Sequence, residues 1–176
     1  DRFSVAVNLP LNFNYRTSLY EHYGNAITVN PAQKRFGTMA NGIGDARLTA
    51  SYWLLDPLKH MKGNLSVGLG LKLPTGDWKA MDKFHRRASD GSDYTIDKPV
   101  DQSIQLGDGG VGINLEIQGY QQLFSRTSLY YNAFYMSNPK NVNDAANVAP
   151  DKVVTDEMVR YMSVADQYAG RLGLNY

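Results

Sequence analysis

Phe3-Ser4-Val5-Ala6-Val7-Asn8-Leu9-Pro10-Leu11-Asn12-Phe13-Asn14-Tyr15 carries a strict two-residue period near the start of the chain. Its odd positions are all apolar, and its even positions are small, polar or proline. Successive side chains of a strand point to opposite faces, so 3–15 predicts one strand with an apolar and a polar side. Such a strand is long for a soluble sheet and suits a tilted membrane-crossing one. Pro10 cannot donate to a ladder, so a bulge or kink is predicted there.

The same alternation recurs along the chain. Ala46, Leu48, Ala50, Tyr52 and Leu54 oppose Asp45, Arg47, Thr49, Ser51 and Trp53. Leu65, Val67, Leu69, Leu71 and Leu73 oppose Ser66, Gly68, Gly70 and Lys72. Further strands are predicted at 111–119, 128–136 and 167–176. The connections run long, short, long, short, long: 16–44, 55–64, 74–110, 120–127 and 137–166. Transmembrane β-barrels have that rhythm, with short periplasmic turns and long extracellular loops. Compact soluble domains rarely carry three loops of this length.

Composition narrows the alternatives. The 176 residues carry 18 basic and 17 acidic side chains, so no global field recruits nucleic acid. Zero cysteines exclude a disulfide scaffold, a zinc–thiolate site and a cysteine nucleophile. Sixteen glycines and twelve tyrosines suit strands, tight turns and amphipathic aromatics. No apolar run is long enough for a membrane helix. The chain begins at Asp1 in a strand-like pattern, which predicts a processed protein or a piece of a longer one.

Either face of an alternating sheet can be the inner one. The predicted apolar face is almost free of charge, as lipid contact requires. The polar face carries Asp45, Arg47, Lys72, Glu116 and Arg171 as candidate lumen-facing charges. Tyr15, Tyr52, Tyr120, Tyr135 and Tyr176 lie near strand ends, where an aromatic girdle would sit. The competing reading is a soluble β-domain with solvated charges.

Gly42-Ile43-Gly44-Asp45-Ala46-Arg47-Leu48, followed by Asn64 to Gly76 ending Lys72-Leu73-Pro74-Thr75-Gly76, resembles the outer-membrane barrels grouped as meta-pathway phenol-degradation proteins. Asp101 to Gln105 with Gly107-Asp108-Gly109-Gly110 is similar to a strand start in the same group. The likeness spans about residues 42–136; the first strand and the long loops match only in style. It implies a barrel of the hydrophobic-compound transporter superfamily, passing small, often hydrophobic molecules across a bacterial outer membrane. No transport residue carries over by name.

Several apparent sites dissolve under their own chemistry. Gly107 to Gly112 spells G-x-G-x-x-G, but a dinucleotide site needs a helix opening there, and the residues that follow alternate as a strand. Asp90, Ser92, Asp93, Asp97 and Asp101 make an acidic stretch without the spacing of a calcium hand, so no metal is expected. Lys79, Lys83, His85, Arg86 and Arg87 form a basic half of the same loop. Facing outward they would meet lipopolysaccharide phosphates; folded inward they would pair with the acidic half. Ser18 with His22 is the one Ser–His pair near a predicted rim, and it lacks an orienting third group, so no enzyme is expected. Phe134 and Met136 point to the polar side, as a contact for a hydrophobic solute or as packing beneath a plug.

The expected fold is therefore all-β: an antiparallel up-and-down transmembrane β-barrel forming a single domain over 1–176. Six strands fall short of the eight with which single-chain barrels begin, so a part of a barrel of about twelve strands is expected. Tyr168, Gly170, Leu172, Leu174 and Tyr176 nevertheless resemble a terminal barrel-assembly signal. The expected function is a passive channel in the outer membrane for small hydrophobic or amphipathic molecules, with no cofactor and the 74–110 loop as plug or gate. The alternative is a non-transporting scaffold barrel whose loops bind other envelope proteins.

Overall fold

The first strand ends earlier than its alternation. β1 covers Phe3–Asn8 and β2 covers Leu11–Ser18, with the chain broken at Leu9-Pro10. The break is matched opposite: β3 (Phe36–Ile43) pairs β2, β4 (Ala46–Trp53) pairs β1, and Gly44 N–H donates to the Pro10 carbonyl at 2.9 Å. A single long ribbon is thus kinked at Pro10 and Gly44 into two sheets. The computed structural model describes residues 1–20, 28, 30–148 and 153–176.

The remaining strands are β5 (Gly63–Leu73), β6 (Met81–Arg87), β7 (Asp93–Pro99), β8 (Gly112–Phe124), β9 (Thr127–Ser137), β10 (Val142–Ala146), β11 (Tyr161–Ser163) and β12 (Gln167–Asn175). One helical turn, α1 (Glu157–Arg160), precedes β11. The fold is all-β, with every strand pair antiparallel. The largest sheet has six strands in the order β1-β4-β5-β8-β9-β12, an up-and-down meander with β1 and β12 as edges. It does not close into a barrel.

Three expected loops contain structure of their own. The 16–44 connection holds the end of β2 and all of β3, 74–110 holds the β6–β7 hairpin, and 137–166 holds β10, α1 and β11. The expected 120–127 turn shrinks to Ser125-Arg126, because β8 runs on to Phe124. All three extra hairpins stand at one end of the large sheet; the 54–62 and 125–126 turns close the other.

Register fixes the two faces. Val5, Ala50, Leu69, Leu115, Tyr135 and Tyr168 form one cross-strand row. The rows beside it add Val7, Leu48, Leu71 and Ile113 on one side, and Phe3, Tyr52, Val67, Ile117 and Ala133 on the other. No charged residue interrupts these rows. They are exposed: Val5 58%, Leu69 63%, Leu115 56% and Tyr168 82%. The opposite face carries Ser66, Lys72, Asn114 and Met136, all at 1% or less. Along β5 and the start of β8 the exposed side is apolar and the buried side polar or glycine, whereas the edge strands β1 and β12 are largely exposed on both faces.

The polar face is concave. β4 and β12 are four strand steps apart, roughly 19 Å in a flat sheet. Yet the Arg47 guanidinium on β4 donates to Gln167 Oε1 on β12 at 3.0 Å. Only a curled sheet brings them within reach. One member of the expected aromatic girdle falls on this inner side: Tyr120 belongs with Trp53, its ring centroid 5.8 Å away, because it is one residue out of step with Ile117 and Gly119.

The apolar core lies outside the large sheet. Ala40, Val100, Ile104 and Leu106 cluster beneath the hairpins, with Ala80 packed against them. Asn14 Nδ2 donates to the Ile104 carbonyl at 3.1 Å, and Asp82 Oδ2 accepts from Met39 N–H at 2.8 Å. The 100–106 segment therefore lines the inner side of β2–β3 at the mouth of the trough.

Candidate functional site

Three separate stretches meet where the hairpins join the large sheet: Gly44-Asp45, Lys72 to Gly76, and Gly107-Asp108. Lys72 is the last polar-face residue of β5, and the curl of the sheet buries its side chain. A buried ammonium needs opposite charge. Asp108 supplies it with both carboxylate oxygens, and Asp45 Oδ2 lies 3.6 Å from Nζ. Each aspartate also ties down backbone. Asp45 accepts from Gly76 N–H at 3.0 Å and Asp108 N–H at 3.1 Å; Asp108 accepts from Gly110 N–H at 2.9 Å. Thr75 completes the node, donating to the Gly44 carbonyl at 2.9 Å and accepting from Ala46 N–H at 2.8 Å.

This node explains why small residues stand where they do. A Cβ at Gly76 would lie 2.5 Å from the Leu106 carbonyl oxygen, and backbone cannot step aside as a side chain can. Gly76→Ala is expected to lower stability by about 1–3 kcal/mol, the usual cost of overpacking, read as an earlier midpoint in urea unfolding. An unchanged midpoint would mean the two loops are not pinned together.

Beside the node is a cavity of about 340 Å³, bordered by Arg47, Lys72, Asp45, Asp108, Gln167, Leu106 and Met162 among others. Arg47 is half-buried, and its guanidinium stands 5.7 Å from the centroid of the Phe134 ring. Of the charges predicted to face inward, the structure thus brings Asp45, Arg47 and Lys72 together. Glu116 lies deeper in the trough, accepting from Asn114 Nδ2 two residues before it on the same face. Arg171 is exposed on the edge strand, in register with Asn132. Phe134 and Met136 both lie on the concave face; Met136 is fully buried, and Phe134 packs under Arg47.

The most consequential residue that sequence reasoning passed over is Asp108. Its signal was present in the Gly107-Asp108-Gly109-Gly110 quartet, which sequence reasoning takes only as a strand start and a failed dinucleotide motif. The quartet turns the chain, with Gly109 at φ 72°, and the aspartate it presents neutralises Lys72. No helix opens at these glycines; β8 starts at Gly112, so a pyrophosphate has no helix N-terminus to meet.

The basic stretch of the old 74–110 loop is largely paired. Lys83 faces Asp97, His85 Nδ1 is 2.8 Å from Asp93 and stacks on Phe36, and Lys79 pairs with Asp144. Lys83 and His85 thus pair with the acidic half of the stretch, while Lys83 and Lys79 stay exposed to the surroundings. Ser18 ends β2; His22 lies outside the described residues. Asp144 is held down at about 2 by hydrogen bonds from Lys79 and from the Trp78 indole. Its folded value is below the ordinary 3.8, so this tether contributes fully above 3.8 and is lost as pH falls through about 2. In a Trp53→Phe protein, Trp78 emission is expected to shift in that window; a flat emission down to pH 2 would show no tether.

No family model and no curated protein matches this chain.

Proposed function

We propose that this chain forms the wall of an outer-membrane β-barrel that acts as a passive channel for small hydrophobic or amphipathic molecules. The observation that carries the reading is the inverted sheet: six strands with an exposed, charge-free apolar face, and an opposite polar face that is buried at the centre of the sheet. In water that arrangement forfeits most of the hydrophobic effect. In a bilayer both faces are where they belong.

Dimensions support it. The 11 residues of β5 span about 36 Å at ~3.3 Å each, and a tilt of ~40° reduces that to roughly 28 Å, close to the apolar band of a barrel. Ser66 Oγ and Asn114 Oδ1 are buried without a protein hydrogen-bond partner among the described residues, which suits a wet lumen better than a dry core. The 100–106 segment at the mouth takes the role of constriction, and the mechanism is diffusion through weak sites without energy coupling. Lipid tolerates no free strand edge, so β1 and β12 must each find a partner strand, in further chain or in another copy.

The experiment is reconstitution. Protein folded into planar bilayers is expected to give discrete conductance steps, and liposomes containing it are expected to swell in isosmotic glycine, which lipid alone excludes. Stable insertion with neither conductance nor swelling would overturn the channel and leave a scaffold barrel.

A further inference from the structure

We infer that the cavity beside the Asp45–Lys72–Asp108 node is a selectivity site for compact organic anions, with the Arg47 guanidinium as its anchor. The inference deepens the channel reading and rests on it for its purpose, though not for its geometry.

Two cations border the cavity, and they differ in what occupies them. Lys72 is enclosed between two carboxylates and has nothing left to offer. Arg47 has no carboxylate partner among the described residues; its polar contact is one neutral amide oxygen, that of Gln167. A guanidinium has five N–H donors in a planar fork, so a bidentate edge remains for a carboxylate. Phe134 lies beneath the same group and holds it in place by a cation–π contact that takes none of its N–H donors. Leu106 and Met162 add apolar lining.

The negative groups are less available. Asp45 and Asp108 spend their oxygens on Lys72 and on the backbone N–H groups of Gly76, Asp108 and Gly110. A cationic ligand would have to break those bonds to be received, whereas an anionic one meets an unfilled donor. The four charges at the cavity, Asp45, Asp108, Arg47 and Lys72, cancel. An anion is therefore held by directed hydrogen bonds and not by a net field. Binding is weak and reversible, as conduction requires. At about 340 Å³ the space lies at the small end of ligand pockets, which favours a single-ring or short-chain acid over a long chain.

Benzoate is the probe, with benzamide as its neutral isostere and benzylamine as its cationic counterpart. In detergent, saturation-transfer NMR is expected to show benzoate binding in preference to both, and Arg47→Gln to weaken it about tenfold, with Arg47→Lys between. A heat-modifiable gel shift kept by each variant shows that it has folded. In bilayers, a potassium chloride to potassium benzoate gradient is expected to give a benzoate permeability that falls in Arg47→Gln, while glycine-driven swelling persists. Equal binding of benzoate and benzamide, or an Arg47→Gln protein identical to the parent, would overturn the anion site. Conductance without benzoate preference would leave the channel standing and remove the site. Selective binding without conductance would do the reverse.

Discussion

Arginine at position 69 is expected to cost about 2–4 kcal/mol of folding stability in a bilayer and close to nothing in water. Leu69 is 63% exposed at the centre of the convex row that runs from Val5 to Tyr168. Its side chain fills no cavity, so the substitution leaves no void and breaks no hydrogen bond. What it changes is the medium's response. A guanidinium surrounded by acyl chains loses its hydration, whereas the same group in water is freely solvated. Leu58→Arg is the companion, since Leu58 is 81% exposed in the turn between β4 and β5, beyond the apolar rows. Urea titration of vesicle-bound protein is expected to shift for position 69 and not for position 58. If Leu69→Arg instead leaves stability unchanged and the parent is monodisperse without detergent, the convex face is a water-facing surface and the membrane reading falls.

That contrast is available because the six long strands were legible in the sequence. Uninterrupted alternation needs no partner to be recognised; each of the six stretches supplies a strand to the large sheet, though the first is divided between it and the β2–β3 sheet. The hairpins were not legible, for a physical reason. Met81-Asp82-Lys83-Phe84-His85-Arg86-Arg87 shows no apolar period, because β6 is matched to β7 through cross-strand pairs such as Lys83 with Asp97. Such pairing is a property of two segments, and neither reads as a strand alone. β3 is specified in the same way by its register with β2. Pro10 was readable as a kink, but not that Gly44 would kink the opposite strand in step and turn one sheet into two. At the site, parity along β4 and β5 was enough to put Arg47 and Lys72 on the inner face. It could not show that Lys72 is neutralised and Arg47 is not. That difference rests on Asp108, 36 residues from Lys72 in sequence and brought to it only by the fold.

Removing that aspartate is expected to have the largest effect of any single change here. Asp108→Asn leaves the Lys72 ammonium, 1% exposed, with Asp45 at 3.6 Å as its one remaining carboxylate. Breaking a buried ion pair from one side typically costs about 3–5 kcal/mol, because the remaining charge stays desolvated. Lys72→Met should cost a similar amount for the opposite reason, since two carboxylates then face each other without a cation. The informative protein is the double variant. With Lys72→Met and Asp108→Asn together, no unpaired cation remains, and the asparagine oxygen still accepts from Gly110 N–H. Asp45 keeps its two backbone donors, Gly76 and Asp108 N–H. The double variant is therefore expected to be more stable than either single change, giving a coupling energy larger than either single cost, above about 3 kcal/mol. Urea unfolding of the four proteins in the same vesicles measures it. Additive losses would mean that Lys72 and Asp108 do not act as a pair. The node would then be held by its backbone hydrogen bonds alone, and Lys72 would stand beside Arg47 as a second free cation at the cavity.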